Sequence, residues 1–337
     1  MTFRRRTTLL GLAAASALAL AGCASGGGAG DQGSDDAVLQ VVASTSVYGQ
    51  IAQEVGGDLV EVTSIVTSDA QDPHAFEPSA RDQLTIADAD LIIENGGGYD
   101  AFVDALIESS GSEAPVITAA EYSHDYPENA GHDDEAEHED EPAHEDEAAE
   151  EDEHGDHEHA HIEGFNEHVW YDPHTVAYVA EEIAHELGEL SPDDAATFTA
   201  NAEAFAAEVE GLESELAAVA QTHGDDQVFV TEPVPVYLIE AAGLINATPA
   251  EFSEAVEEGQ DVAPATLLES LGLLESGDVS VVITNTQTGG AETTQILDEA
   301  ESRGIPTIAF SETLPEGQTY ISWMQANVEA LSAALAA

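Results

Sequence analysis

The apolar residues of this chain fall into short β-branched runs that alternate with segments of helical spacing. Runs of the first kind predict strands, and apolar residues repeating every three to four positions predict helices. The predicted strands, one of them with the loop that follows it, lie at 38–44, 59–66, 91–97, 225–233, 279–285 and 305–310. Since strands and helices in alternation favour parallel sheets, we predict an α/β fold of two lobes, with ligands near the carboxyl ends of strands.

A long helix is predicted between the lobes. Apolar residues step by four and three through one segment, at Phe198, Ala202, Phe205, Val209, Leu212, Leu216 and Val219. This spacing predicts a core-facing stripe on a helix over 192–221, with Ser191 as N-cap and Pro192 in its first turn. A coiled coil is the alternative, but the stripe is only about four heptads long and α/β sequence adjoins both ends.

The first residues, MTFRRRTTLLGLAAASALALAGCAS, predict an export signal. Three arginines precede an apolar run too short for an ordinary membrane span, and the run leads to Cys23, the only cysteine. This pattern resembles a bacterial lipoprotein signal. We therefore expect residues 1–22 to be removed, Cys23 to carry a lipid anchor at the outer face of the cytoplasmic membrane, and 23–37 to form a flexible tether. A cleaved signal with an incidental cysteine is the alternative, and both general and twin-arginine export remain open.

The charge of the chain is strongly negative. Its 337 residues include 69 acidic and 5 basic residues, and the formal net charge is −64. Such a field repels phosphates, so it excludes nucleic acid and anionic lipid as partners and favours cations. For most of these carboxylates, solubility or a saline habitat is the simpler explanation.

Residues 124–163 interrupt the alternation with a stretch dense in Asp, Glu and His. It has almost no large apolar residues, so we predict an insertion that is disordered without a ligand. Eight of the thirteen histidines lie there, namely His124, His132, His138, His144, His154, His157, His159 and His161. Because imidazole favours zinc over manganese, the last six predict secondary, weak zinc sites. The alternative is a solvated acidic linker with incidental histidines.

Five separated motifs occur in an order that resembles the metal-binding substrate-binding proteins of zinc and manganese ABC importers. They are DPHAFEP (72–78), EHVWYDP (167–173), the long helix, TEP (231–233) and FSETLPEG (310–317). The resemblance runs from about Val38 to the C-terminus. It implies two Rossmann-like lobes, each with a mostly parallel sheet, joined by one long rigid helix, with the metal in the cleft. It also implies a monomer without enzyme activity that delivers metal to a membrane permease and its ATPase.

The resemblance places the metal ligands at His74, His168, Glu232 and Glu312. Two neutral imidazoles and two carboxylates carry a total charge that one divalent cation balances. Four such ligands suit tetrahedral zinc, whereas bidentate carboxylates add the contacts that suit manganese. Glutamate at the third position is typical of manganese members, and Glu312 stands where those members usually have aspartate. The histidine-rich stretch favours zinc, so we predict Zn²⁺, with Mn²⁺ as the alternative.

The same reasoning divides the chain into an N-terminal lobe over 38–175, a helical segment over 176–224 and a C-terminal lobe over 225–337. A second Asp-Pro-His triplet, at 172–174, is expected to begin a helix with Asp172 as N-cap, leaving His174 solvated. His185 and His223 are expected to be ordinary helix residues.

Two other functions would use some of these residues. A metallohydrolase needs a general base and an open coordination position, and the sequence places neither beside the metal. A cell-surface adhesin or a metal store would act without a transporter, and neighbouring permease and ATPase genes would distinguish an importer subunit from it.

Overall fold

The computed structural model describes residues 38–68, 71–129, 162 and 164–337. The predicted signal peptide, Cys23 and the tether lie outside these residues, as do residues 130–161 of the predicted insertion. From Val38 onward the described chain forms one compact unit.

The N-terminal lobe is built on four parallel strands. They are β1 (Leu39–Thr45), β2 (Val60–Val66), β3 (Leu91–Glu94) and β4 (Val116–Thr118), in the order β2-β1-β3-β4. The helices of this lobe are α1 (Ser46–Gly56), α2 (Ala80–Ala87) and α3 (Phe102–Ser110). Within the sheet, β1 pairs Val41 with Val62 on one side and with Leu91 on the other. The buried runs of β1 and β3 thus form the centre of the sheet, and β2 lies at its edge.

Two helices follow, α4 (Pro173–Leu190) and α5 (Ala195–His223). All seven residues of the predicted stripe on α5 are buried. The helix packs against α1 and α4 and also against the C-terminal part of the chain. It begins at Ala195 rather than at the predicted position 192, because the Ser191 hydroxyl donates to the Asp194 carboxylate inside a preceding turn. The joining helix expected from the apolar spacing is confirmed.

The C-terminal lobe repeats the same sheet order. Its strands β5 (Gln227–Val230), β6 (Ile245–Asn246), β7 (Val279–Asn285) and β8 (Thr307–Phe310) are parallel and lie as β6-β5-β7-β8. Its helices are α6 (Val236–Ala241), α7 (Ala250–Glu257), α8 (Pro264–Ser276), α9 (Ala291–Arg303) and α10 (Tyr320–Leu335). The predicted α/β fold class is therefore confirmed, whereas β4, β6 and α7 were not predicted. The two strands are edge strands of three and two residues, too short to leave a periodic signal.

One continuous apolar core runs through both lobes and α5. Specific hydrogen bonds also join the lobes: the Tyr171 hydroxyl donates to the Ser311 carbonyl at 2.7 Å, and the Tyr320 hydroxyl donates to the Trp170 carbonyl at 2.8 Å. These contacts hold the strand-end loops of the two sheets together. No helix in the described ranges is long and apolar enough to cross a membrane.

The ordered N-terminal lobe extends into both ends of the predicted insertion. Tyr126 and Ile162 pack against the core, and the ring of Tyr126 meets Phe165 edge to face at 5.6 Å. The Asn129 side-chain amide donates to the Glu121 carbonyl at 2.7 Å. The side chains of Tyr126 and Ile162 therefore anchor the two ends of this stretch. Its acidic composition gave no sign of these anchors.

Candidate metal site

His74 lies in the loop after β2 and is oriented by Asp72. The Asp72 carboxylate accepts from the His74 backbone amide at 2.9 Å and lies 3.1 Å from ring atom Nδ1. With Nδ1 acting as the donor to this carboxylate, Nε2 is the nitrogen that can bind a metal. Nε2 lies 3.4 Å from the Glu167 carboxylate, so it points towards the cleft side of the loop.

His168 lies directly before a single 3₁₀ turn over Val169–Tyr171 and is fully buried. The side-chain oxygen of Asn166 lies 2.8 Å from its Nδ1, while the amide group of Asn166 donates to the Pro233 carbonyl at 3.2 Å. The second bond fixes which end of the Asn166 amide faces the ring. Nδ1 is therefore the donor, and Nε2 faces the interior of the site, as in His74.

The two predicted carboxylates come from the C-terminal lobe and share one amide. Glu232 follows β5 and Glu312 follows β8, and both are almost fully buried. The Asn285 side-chain amide donates to Glu232 at 2.9 Å and to Glu312 at 2.5 Å. The Thr288 hydroxyl also donates to Glu232, and the Tyr99 hydroxyl donates to Glu312 at 3.2 Å from the opposite lobe. Neutral donors thus hold both carboxylates without cancelling their charge.

The structure brings three of the four predicted ligands into close groups around His74. One group joins ligand atoms of His74, His168 and Glu257, and a second joins those of Asp72, His74 and Glu312; within each group the atoms lie within 4.8 Å of one another. The two imidazole rings are 6.0 Å apart. Glu232 belongs to no such group within the described residues and is linked to the others through Asn285.

Sequence reasoning missed four residues of this site, for different reasons. Asp72 and Glu167 stood inside the recognised motifs, and their spacing from the histidines could have marked them as orienting carboxylates. Asn285 ends β7, at the strand end where ligands are expected in α/β sheets. Glu257 ends the unpredicted helix α7 within an acidic run, and no local signal separates it from Glu258.

Burial and hydrogen bonding shift the pKa values of these groups. Burial lowers the pKa of His74, but its hydrogen bonds to Asp72 and Glu167 outweigh this effect and raise the pKa to about 10. Burial raises the pKa of Glu312 to about 7, and it also raises the pKa of Glu232. Burial and the nearby charge of Glu167 raise the pKa of Glu257 to about 9. Without a cation, the site therefore retains protons that free carboxylates would lose.

The described residues include only two arginines and no lysine, and neither arginine pairs with these carboxylates. Arg303 binds Glu275 and Glu299 on the surface, and Arg81 is exposed. Buried carboxylates that pair with no arginine or lysine are costly, so this donor set fits a bound divalent cation. Two imidazole nitrogens and several carboxylate oxygens suit zinc and manganese alike.

The two Asp-Pro-His triplets form the same local turn in different surroundings. In the second triplet the Asp172 carboxylate accepts from the His174 amide at 3.1 Å and from the Thr175 amide at 3.3 Å, which caps α4 as predicted. The side chain of His174 is half exposed and packs edge to face on Tyr178. The triplet therefore specifies a turn, and only the first one places its histidine in the cleft.

The remaining histidines divide between the surface and the part of the chain that is not described. His185 is exposed on α4 and His223 ends α5, as predicted. His124 is 58% exposed, with Nδ1 at 3.6 Å from Asp172. The six predicted secondary sites lie outside the described residues: His138, His144, His154, His157, His159 and His161.

Comparison with known proteins identifies the family. Residues 41–334 match the model of the ZnuA family, described as the periplasmic component A of a zinc-uptake complex. The chain belongs to this family. The match covers both lobes and α5, so the predicted resemblance is confirmed.

Relatives in this family carry the names of different metals. The manganese-binding lipoprotein MntA of Halalkalibacterium halodurans is 25% identical over 320 residues, which are 93% of each chain. The zinc-binding lipoprotein AdcA of Streptococcus pneumoniae is 25% identical over 331 residues, covering 95% of this chain and 59% of that protein. A solved structure of the laminin-binding adhesin Lmb of Streptococcus agalactiae shares the fold, with a TM-score of 0.67, 24% identity and coverage of 88% and 99%.

Proposed function

We propose that this protein is an extracytoplasmic, lipid-anchored binding protein that captures a divalent transition metal and delivers it to an ABC permease driven by its ATPase. The observation that carries the proposal is a buried cluster of carboxylates facing two oriented imidazoles, with no described arginine or lysine to balance it. Family membership and the names of the relatives support the transport role.

His74, His168, Glu232 and Glu312 are the proposed ligands. Glu312 is already grouped with His74, and the amide of Asn285 holds Glu232 beside it. In the cation-bound state Glu232 would approach the histidines by a side-chain rotation, since its neutral hydrogen-bond partners are themselves side chains. The proposed role is binding and release, and no catalytic step is assigned to these residues.

Zn²⁺ is the proposed cargo, and Mn²⁺ is the alternative. The histidine-rich stretch favours zinc because imidazole is a better ligand for zinc than for manganese. The oxygen-rich C-terminal half of the site favours manganese for the corresponding reason. Metal analysis of protein purified from its native host tests this choice directly. Full occupancy by manganese without zinc would reject zinc as the cargo.

The transport role is tested by metal uptake in cells that lack the gene. Complementation with the wild-type gene should restore uptake of the cargo metal at limiting concentration, and a His74→Ala, His168→Ala double variant should not. The matched control is His174→Ala, which changes the exposed histidine of the second triplet. Uptake that is equal in all strains would favour a metal-binding adhesin or a metal store without a transporter.

The lipid anchor is tested separately, because it depends on residues outside the described ranges. A Cys23→Ser variant should be released from the membrane fraction while its purified form binds metal as the wild type does. The protein is proposed to act as a monomer, which the elution volume of the purified form checks.

A further inference from the structure

We propose that Glu257 is an additional metal ligand, contributed by α7 opposite His168. This inference rests on the proposed metal-binding function and concerns a residue that none of the recognised motifs contains. The carboxylate atom Oε1 lies 3.6 Å from Nε2 of His168. That nitrogen is the one that the hydrogen bond between Nδ1 and Asn166 leaves for a metal.

The position of Glu257 is fixed by the packing of α7. Phe252 and Val256 of this helix belong to a buried cluster with Phe229. Phe229 lies on β5, the strand that ends just before Glu232. Glu257, the last residue of the helix, therefore leaves the core at a defined place. Its side chain is only 12% exposed, although glutamate at a helix end is ordinarily solvated.

One carboxylate oxygen of Glu257, Oε1, is buried without a hydrogen-bond donor. This atom is inaccessible to solvent and accepts no hydrogen bond from any described residue. This contrasts with Glu232 and Glu312, each of which accepts from neutral side-chain donors. A buried carboxylate oxygen without a donor is costly unless a cation binds it. Oε1 lies 3.6 Å from Nε2 of His168, so one cation could bind both atoms and compensate the burial of the Glu257 carboxylate.

The donors of His74, His168 and Glu257 lie close enough to reach one ion after a small movement of their side chains. One ligand atom from each lies within 4.8 Å of the other two. Three ligand atoms at about 2.0 to 2.2 Å from a common ion lie about 3.3 to 3.8 Å from one another, so the three atoms must approach one another by up to about 1 to 1.5 Å when they bind it. His74 also belongs to the group with Asp72 and Glu312, so Glu312 lies close to the same histidine.

A cavity gives this position access to solvent. The cavity has a volume of about 420 Å³ and lies between the loop at Phe165–Glu167 and α7. Four carboxylates line it, those of Glu167, Glu254, Glu257 and Glu258. An acid-lined cavity raises the local concentration of cations. Glu257 stands where this cavity meets the histidines, so it is placed to bind the ion from the cavity side.

The test compares Glu257→Gln with Glu258→Gln in the full-length, mature protein. Both changes replace one carboxyl group that lines the same cavity with an amide of the same shape, but only Glu257 contacts His168. Affinities for Mn²⁺ and Zn²⁺ are measured by competition with a fluorescent chelator. Glu257→Gln should weaken Mn²⁺ binding by about 10- to 100-fold, and Zn²⁺ binding by less, because manganese depends more on oxygen donors. Glu258→Gln should stay within about twofold of the wild type for both metals.

Thermal melting separates a ligand from a structural residue. Because Oε1 has no hydrogen-bond donor, Glu257→Gln should not lower the melting temperature of the metal-free protein, and only the metal-induced increase should shrink. Glu257→Ala provides a second variant, which should also lose more affinity for Mn²⁺ than for Zn²⁺. If both variants bind both metals as Glu258→Gln does, Glu257 is not a ligand and only pairs with His168. If the wild type itself binds neither metal, the proposed function fails first.

Discussion

The two halves of the site are built on opposite principles. In the N-terminal half, acceptors orient two imidazoles: Asp72 holds His74, and the Asn166 oxygen holds His168. In the C-terminal half, one neutral donor, Asn285, holds two carboxylates. The first half therefore sets the direction of nitrogen donors, and the second supplies carboxylates that pair with neither arginine of the described residues. Since the two halves supply complementary donors, we propose that the ion lies between them.

The largest effect is expected from removing a ligand of either half. His74→Ala or His168→Ala should weaken Zn²⁺ binding by about 100-fold or more, because a nitrogen donor is lost that zinc prefers. Glu232→Ala and Glu312→Ala should reduce Mn²⁺ affinity more than Zn²⁺ affinity, since manganese depends more on oxygen donors. Chelator competition with both metals measures the four variants against His174→Ala as control. If both glutamate variants bind like the wild type, the C-terminal ligands are assigned incorrectly.

A smaller effect is expected from Asn285, which binds no metal and positions both carboxylates. Asn285→Ala removes the shared donor, so Glu232 and Glu312 should repel each other and lose their alignment. Loss of such an outer partner typically costs 10- to 100-fold in metal affinity, and we expect a loss of about this size. The control is Thr286→Ala, since Thr286 is the next residue and is exposed. Equal affinities in the two variants would show that the carboxylates hold their positions without the amide.

The fold could be predicted from sequence wherever burial imposes a period. The stripe on α5 has seven apolar residues at helical spacing, and all seven are buried. The central strands have β-branched runs because both of their faces are covered. β4 and β6, with three and two residues, pair only at sheet edges, so their sequences carry no such constraint.

Only the site residues that lie in sequence motifs could be predicted. His74 and His168 stand in motifs on which the sequence resemblance rests, and the centroids of their rings lie 6.0 Å apart. Glu257 reaches the same place because α7 packs on Phe229, a contact between residues far apart in the chain. In a sequence with 69 acidic residues, neither composition nor spacing distinguishes this glutamate from its neighbours. Only tertiary packing places the Glu257 carboxylate beside His168.

The pH dependence of metal affinity should distinguish the proton bound by His74 in the N-terminal half from the proton bound by Glu312 in the C-terminal half. In the metal-free protein the pKa of His74 is raised to about 10, so at neutral pH a metal must displace its proton. The pKa of Glu312 is raised to about 7, so a further proton must leave below that pH. Affinity should therefore fall with falling pH, by about tenfold or more per unit, and more steeply below pH 7. Metal titrations between pH 6 and 8 test this, and Glu312→Gln should lose the additional steepness.

The smallest effect on the tight site is expected from the acidic, histidine-rich stretch. Tyr126 and Ile162 pack on the core, so a deletion variant should lack residues 130–161 and retain both of these anchors. This deletion takes away seven histidines but none of the proposed ligands. We expect the tight affinity to stay within about twofold and several weaker zinc equivalents to disappear, because free imidazoles bind zinc.

A matched variant separates the histidines from the charge of this stretch. Replacing the seven histidines with glutamine preserves its length and all of its carboxylates. If imidazole binds the weaker zinc equivalents, this variant should lose them as the deletion does, and in the wild type they should weaken as pH falls through about 6.5. Calorimetry at pH 7.5 and 5.5 measures both stoichiometry and affinity. Equal zinc stoichiometry in all three proteins would make the histidines incidental, whereas loss of the tight site on deletion would mean that the stretch contributes a primary ligand.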